Sequence, residues 1–335
     1  MIKNSPSRRR WLQAATSAAA LCAAGLAALG TAVAQPRDYP NKPVNIVVAF
    51  PAGSSNDALA RELAQALTPL LGQTVVVTNK GGVGGVIGTD EVAKSPPDGY
   101  TIGWGTSSQL VMNAGVYKTL PFDVEKDLKQ IGLVIKVPLV IVAGNRVPQT
   151  LAEFVKQAKA DPKKFSYGSA GNGSVSHVMS ELFLKEAGIS VQHVPYRGIA
   201  PALLDVSGGN VDFAVDTLIA TKTVIDQGRG HWLGIGGDKR SPSQPNLPTF
   251  AEQGFPNFQA YSWSSLFAPA KTPDAIVEKL NAAMNKAMQS PAFKARIDQV
   301  GGELLGGTAV AAEQFGARER AKWVSFIRSQ NIVAE

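Results

Sequence analysis

From residue 44 onward, short β-branched runs alternate with longer stretches in which apolar side chains recur every three or four positions, the pattern of strands followed by amphipathic helices. Strands are predicted at Val44–Phe50, Thr74–Thr78, Thr101–Trp104, Leu133–Val142, Phe165–Tyr167, Gln192–Pro195, Val211–Val215, His231–Ile235 and Ser262–Ala268. The stretch 57–72 places Leu59, Leu63, Leu67 and Leu70 on one helical face, with Asp57 positioned to cap its start and Gly72 to end it. Two further amphipathic helices, 273–288 and 311–330, close the chain and are expected to pack on a sheet. This alternation reads as an α/β protein with largely parallel sheets. Two apolar stretches, 133–144 and 258–270, are about twice the usual strand length of ~5–6 residues and are expected to cross between two domains. The division they imply is a discontinuous domain one (35–137 plus 263–335) and a domain two (138–262), joined by a two-segment hinge. A chain of this length also exceeds what one hydrophobic core usually serves.

The first 34 residues are set aside from that fold. Ser7-Arg8-Arg9-Arg10-Trp11-Leu12 is a basic start of twin-arginine type, and a run of small and apolar residues follows to Ala32-Val33-Ala34, which reads as an export signal cut after Ala34. Gly25, Gly30 and two threonines dilute that run, which weakens a membrane-anchor reading. The single cysteine, Cys22, lies inside it, so the remainder has no thiol chemistry and no disulfide. Four of the basic residues behind the net charge of +7 also lie there, which leaves +3 for the rest. So small an excess argues against a nucleic-acid partner and suits an anionic small molecule.

Candidate chemistry begins at the end of the first strand. In "VVAFPAGSSND" (47–57) an apolar run stops at Pro51 and gives way to small and polar residues before a helix. A strand, a small-residue loop and a helix N-terminus aim backbone N–H groups at a ligand beyond the carboxyl end of a sheet. The design recurs as Gly168-Ser169-Ala170-Gly171-Asn172-Gly173-Ser174 after the strand at 165–167, and Gly105-Thr106-Ser107-Ser108 follows another. The usual role of one such loop is only to connect. Three in one chain, two of them in different predicted domains, imply a ligand gripped from both sides. No Gly-Lys-Ser/Thr sequence occurs in the first loop, and "GGVGGVIG" (81–88) has Ile87 where a dinucleotide motif needs glycine, so a nucleotide is not indicated.

Over nearly all of the chain beyond the leader, the order and spacing of these landmarks resemble the Bug-type periplasmic solute receptors of tripartite tricarboxylate transporters. The resemblance rests on "YPNKPVNIVVAFPAGSSND", "SPPDGYTIGWGTSS", "FSYGSAGNGSVSH", "VPYRGIAPALLDVSGGNVDFAVD" and "KRSPSQPNLPTFAEQGFPNF" followed by "APAKTP". It implies a two-lobed periplasmic binding protein of type II-like fold that closes over a small carboxylate, dicarboxylate or aromatic, and hands it to the membrane subunits of such a transporter. It implies a monomer with no cofactor and no metal. Carried over position by position, the ligand-binding residues are Phe50, Pro51, Ala52, Gly53, Ser54, Ser55 and Asp57, with Thr106 and Ser107 nearby. From domain two come Ser169, Ala170, Gly171, Asn172, Gly173, Ser174, His177, Tyr196 and Asp216. The chain departs from the family pattern at Ser54 (usually glycine), at Asn56 (usually threonine), at Thr217-Leu218-Ile219 (often Asn-Leu-Pro), and at Ser264 and Ser265 (usually an aromatic and glycine). The last pair implies a more polar or roomier distal pocket.

Other readings compete with this one. A hydrolase needs a serine on a strained elbow, and no Gly-x-Ser-x-Gly occurs; His177, His193 and His231 show no metal spacing. A periplasmic sensor binding the same ligand is not separable from a transport receptor by sequence. Arg197 reads as a ligand cation or as a solvated turn charge, and Asp216 as a ligand contact or as a helix cap. Trp104, Tyr261 and Trp263 read as pocket lining or as core.

Overall fold

The computed structural model describes residues 39–332, of which the compact unit that begins at Lys42 carries the fold. The predicted leader and its cleavage point lie outside the described residues. Strands β1 (Val44–Val48), β2 (Val75–Asn79), β3 (Thr101–Thr106), β4 (Leu128–Gly144) and β5 (Ser166–Ser169) come first. They are followed by β6 (Gln192–Pro195), β7 (Phe213–Thr217), β8 (Gly230–Ile235), β9 (Tyr261–Pro269) and β10 (Glu303–Gly306). They lie in the order β2-β1-β3-β9-β4-β7-β5-β6, with β8 and β10 each pairing β4 off that path.

The α/β class holds, but the sheet is mixed rather than largely parallel. β1 pairs β2 and β3 in parallel, as β5 pairs β6 and β7, whereas every pairing of β4 and β9 is antiparallel. The two over-long apolar stretches are the cause. β4 runs for 17 residues. Its first half pairs β9 as far as Pro138↔Tyr261 and β10 as far as Lys136↔Glu303; its second half pairs β7 from Leu139↔Thr217 and β8 from Val140↔Ile235. β4 therefore exchanges both neighbours at Pro138, which has no N–H to donate to a ladder. There Leu139 donates to the carbonyl of Ala260 (3.0 Å) and accepts from Gly236 (2.7 Å), so the incoming end of β9 is fastened to the same point. The short β10 escaped the pattern reading because "ELLG", set between glycine pairs, carries too little periodicity.

Side chains alternate across β4 as its pleat requires: Leu139, Ile141 and Ala143 enter the main core, while Val140 and Val142 enter two smaller clusters on the opposite face. Fully buried Phe154, Phe183 and Phe213 fill the main core beside β5 and β7, with the Phe154 and Phe213 rings 5.4 Å apart edge-to-face. Helix α1 (Ser55–Leu71) buries Leu59, Leu63, Leu67 and Leu71 at every fourth position, so the stripe ends on Leu71 rather than Leu70. Its stop is Gly72, in the left-handed conformation at φ 68°, as expected. Among the described residues no helix is long and apolar enough to cross a membrane.

Candidate functional site

The first loop is held from beneath. Its N-cap is Ser54, whose Oγ accepts from the amide of Asp57 (3.3 Å), and Asp57 itself is not the cap. The Asp57 carboxylate, 4% exposed, accepts from the Gly53 amide (2.8 Å) and the Asn79 amide group (2.9 Å), and pairs with Arg61 (2.9 Å). Burial alone would raise its pKa; the bonds from Arg61, Gly53 and Asn79 outweigh it and hold the carboxyl below the usual range. Asn79 also donates to the carbonyl of Phe50 (3.2 Å), so Asp57 and Asn79 together set the course of 50–57. Phe50 is half-buried, Pro51, Ala52 and Gly53 are exposed, and Ser54 and Ser55 are partly exposed. Asp57, with its oxygens so occupied, shapes the loop.

The turn after β3 is more enclosed than its small residues suggest. Thr106 and Ser107 are 2% and 1% exposed. The Thr106 amide and hydroxyl both donate to Gln109 Oε1 (2.9 and 2.7 Å), and the Ser107 and Ser262 hydroxyls lie 3.3 Å apart. A π-helical turn, Ser108–Met112, leads into the short helix Asn113–Val116. Ser108 Oγ accepts from the amide of Val175 (3.2 Å), and the hydroxyl of Tyr117 donates to the carbonyl of Asn172 (3.3 Å). Residues 106–117 are thereby fastened to the Ser-Ala-Gly-Asn-Gly loop. Asn113, fully buried, donates to the carbonyl of Gly84 (3.2 Å) and leaves its Oδ1 without a partner.

In the second loop most amides face inward, which corrects the picture of a row of backbone donors aimed at an anion. Gly171 N–H donates to Ser169 Oγ (3.1 Å), Ala170 N–H to Ser176 Oγ (2.8 Å) and Gly173 N–H to His177 Nδ1 (3.2 Å). Ser174 caps helix Val175–Ala187 and donates to the Gly171 carbonyl (2.6 Å). Gly171 and Gly173 have φ of 116° and 76°, and a Cβ at Gly171 would lie 3.1 Å from the Tyr196 carbonyl oxygen. Beneath the loop the His177 and His193 rings stack at 4.0 Å, and Tyr167 stacks on His193 at 4.7 Å. Burial pushes His177 down to about 3, helped by His193, and burial pushes His193 down to about 4. Both rings are therefore neutral near neutral pH. His177 Nδ1 then accepts from Gly173, which places its proton on Nε2.

Ser169 Oγ lies 2.6 Å from His193 Nε2, a contact no sequence motif announced. Its geometry is that of a serine–histidine dyad, with Ser169 completely buried and its Oγ already accepting from Gly171. Tyr196 donates to Asp205 (2.6 Å) rather than into the loop, and burial and that bond raise its pKa to about 12. Asp216, partly buried, accepts from the amide (2.7 Å) and hydroxyl (3.2 Å) of Thr217. Burial raises its pKa to about 6, and the bonds from Thr217 oppose the rise only in part. Thr217, not Asp216, caps the following helix, Leu218–Asp226. Arg197 is exposed. Trp104 and Trp263 are core, at 0% and 1% exposure; Trp263 and Tyr261 both donate to the buried Glu319. Among the described residues no three His, Cys, Asp or Glu side chains converge as a metal site.

Among the amides of the two loops and the helix turns that follow them, those of Ala52, Ser55, Asn56, Asn172 and Ser176 keep no described partner. Asn56 Oδ1 accepts from Trp104 Nε1 (3.1 Å), which ties α1 to β3. The sequence therefore located the loops, while most of the side chains that fix them, Asn79, Asn113, Tyr117 and His193, came from distant segments with no local signal; Gln109 acts from within its own turn.

Known proteins are similar to this chain in sequence and in fold. The family model described as "Tripartite tricarboxylate transporter family receptor" matches residues 59–332. Protein BugT of Bordetella pertussis is 36% identical over 292 residues, covering 87% of this chain and 90% of BugT. The periplasmic binding protein BugD superposes with a TM-score of 0.81 at 34% identity, covering 88% of this chain and 100% of BugD. An R. palustris protein with adipate gives 0.83 at 32% identity over 89% and 100% of the two chains. MatC of Rhodopseudomonas palustris with bound malate gives 0.80 at 28% identity over 86% and 100%.

Proposed function

Since this chain belongs to the tripartite tricarboxylate transporter receptor family, a family of periplasmic solute receptors, we infer that it binds a small organic acid between its two sets of strands and delivers it to the membrane subunits of such a transporter. The carboxylate is held by the loop 50–55 on one side and by 169–174 on the other, with Ser55, Asn56 and Asn172 supplying the free amides and Asp57, Asn79, Ser169, Ser176 and His177 keeping the loops in shape. The observation that carries this is that two helix N-termini, capped by Ser54 and Ser174, are each fastened to the segment 104–108, by the Trp104–Asn56 and Ser108–Val175 hydrogen bonds. The adipate and malate held by two of the similar structures support a carboxylate as cargo.

Domain two of this reading comprises 138–262 and domain one 35–137 plus 263–335, with the hinge where β4 changes partners at Pro138 and β9 enters at Tyr261. Neutral donors in place of a salt-bridging arginine let the acid leave once the lobes part, as handing over cargo requires. The receptor acts as a monomer without cofactor. A thermal-shift screen of the protein against mono-, di- and tricarboxylates, aromatic acids, amino acids and sugars tests the reading. A saturable upward shift confined to carboxylates is expected; shifts by neutral sugars alone would sink it.

A further inference from the structure

A groove of about 1050 Å³ runs over the surface between the helix Ala309–Ser329 and the segment 117–127, and no residue of the two ligand loops lines it. Its walls run antiparallel, since a Cβ at Gly115 would lie 3.0 Å from Ile327 Cγ2 while Glu125 pairs with Arg320 at 3.1 Å. The helix wall is the exposed face formed by Ala317, Ala321 and Ser325, one residue per turn, whose short side chains let another backbone come close. The two ends differ in charge. Lys118 and Arg328, both exposed, stand at one end, and neither has an acidic partner among the described residues. At the other end Arg320 is taken by Glu125 and Asp123 by Lys126, and Asp127 is left without a described cation. The opposite face of the same helix is buried: its Glu319 accepts from Tyr261 (2.9 Å) and Trp263 (3.2 Å), where β9 enters at the proposed hinge. On the other wall Tyr117 lines the groove and donates to the carbonyl of Asn172 in the second ligand loop (3.3 Å).

We propose that this groove is where the receptor docks on its transporter: a helical segment of a membrane subunit lies along Ala317, Ala321 and Ser325, with a carboxylate of its own at the Lys118–Arg328 end. The inference rests on the transporter reading above. Size, charge and placement each carry it. The groove's 1050 Å³ exceeds the roughly 300–1,000 Å³ of a small-molecule pocket and lies open to the surface, which suits a length of polypeptide better than a second small ligand. Two uncommitted cations beside a face of small residues call for an acidic group at that end, and Asp127 disfavours one at the far end, so the charges fix the direction of the segment. The occupant rests against Tyr117 and against the helix that holds Tyr261, so contact in the groove is one hydrogen bond away from the second ligand loop and one from the hinge.

Site-specific photocrosslinking in cells that carry the transporter tests the proposal. A benzoylphenylalanine replaces Ala321, or Leu204 as a control that is 68% exposed on the helix Ile199–Gly208, and the adducts are identified by mass spectrometry. An adduct with a membrane subunit is expected from position 321 and not from 204. Adding Arg328→Glu or Lys118→Glu to the crosslinking chain is expected to lower the yield roughly tenfold, and Arg328→Lys to keep it. Thermal unfolding and the carboxylate-induced shift, both unchanged in these surface variants, separate docking from folding and from cargo binding. Adducts confined to a second copy of this chain or to a sensor protein, no adduct at all, or a yield indifferent to both charge reversals would overturn the docking site. A carboxylate shift retained with no adduct removes the docking site alone, whereas a parent protein that no acid shifts removes the carboxylate reading whatever the adducts are.

Discussion

The stacked imidazoles beneath the second loop make the stability of this protein sensitive to acid in a way that one substitution isolates. His177 is depressed from 6.5 to about 3 in the fold. Above pH 6.5 the ring is neutral in both states and contributes nothing; as pH falls below 6.5 the unfolded chain takes up a proton that the native state refuses, so stability is lost progressively down to the native value. Between pH 8 and pH 5 the loss at this one position integrates to about 2 kcal/mol. His193, depressed to about 4, adds in the same direction, discounted for its partial exposure. Asp216, raised to about 6, works the other way and recovers about 1 kcal/mol over the same interval. His177→Asn removes the titrating ring while its amide oxygen replaces Nδ1 as acceptor for Gly173. Urea unfolding followed by tryptophan fluorescence at pH 8 and pH 5 should show the parent losing about 2 kcal/mol more than the variant between those pH values, whatever the two stabilities are at pH 8. Equal losses in parent and variant would mean that His177 takes up its proton in the folded protein, and the buried neutral pair would have to be abandoned.

Other outcomes follow from the same contacts. Asp216→Asn removes a carboxylate whose charge the fold disfavours, a cost present above its native pKa of about 6 and gone below the unfolded value of 3.8; the variant should be more stable than the parent at pH 8, by about 1–3 kcal/mol, and no more stable at pH 3. Asp57→Ala removes the acceptor of the Gly53 amide, Asn79 and the half-exposed Arg61, and is expected to lower stability by about 1–3 kcal/mol in urea unfolding, whereas no measurable loss would show that the loop holds without its clamp. Gly171→Val forces a side chain onto φ 116° and against the Tyr196 carbonyl, so carboxylate binding should vanish while thermal unfolding falls by several degrees; retained affinity would exclude this loop from the grip. If β4 and β9 form a hinge at Pro138 and Tyr261, small-angle scattering should give a smaller radius of gyration at ligand saturation, and an unchanged radius would count against closure.

Most of the fold was legible in the chain because each strand announces itself through a few adjacent side chains. All nine strands read from β-branched runs are present with ends displaced by a few residues, and Gly72 ends its helix where its lack of a Cβ predicts. The unusual length of 133–144 and 258–270 was visible as well, and these are the segments where β4 and β9 link the two sets of strands. Strand direction was not legible. Parallel or antiparallel pairing is decided by which strand arrives alongside, and the long antiparallel pair β4–β9 turned an expected parallel sheet into a mixed one.

For the site, the sequence by itself determined where small-residue loops meet helix N-termini, since glycine, serine and asparagine set backbone conformation locally. Only the tertiary structure decided which of those groups remain free. Asp57 and His177 share the loops with Ser55, yet Asn79 and His193 arrive from elsewhere in the chain and occupy or enclose them. A hydrogen-bonding group holds a ligand only with the capacity that its neighbours leave unused, and those neighbours are fixed by packing between segments far apart in sequence. Ser264 is the converse case: in the sequence it is a serine where the family pattern usually has an aromatic, and in the fold it is a buried hydroxyl on the wall of a small uncharged cavity.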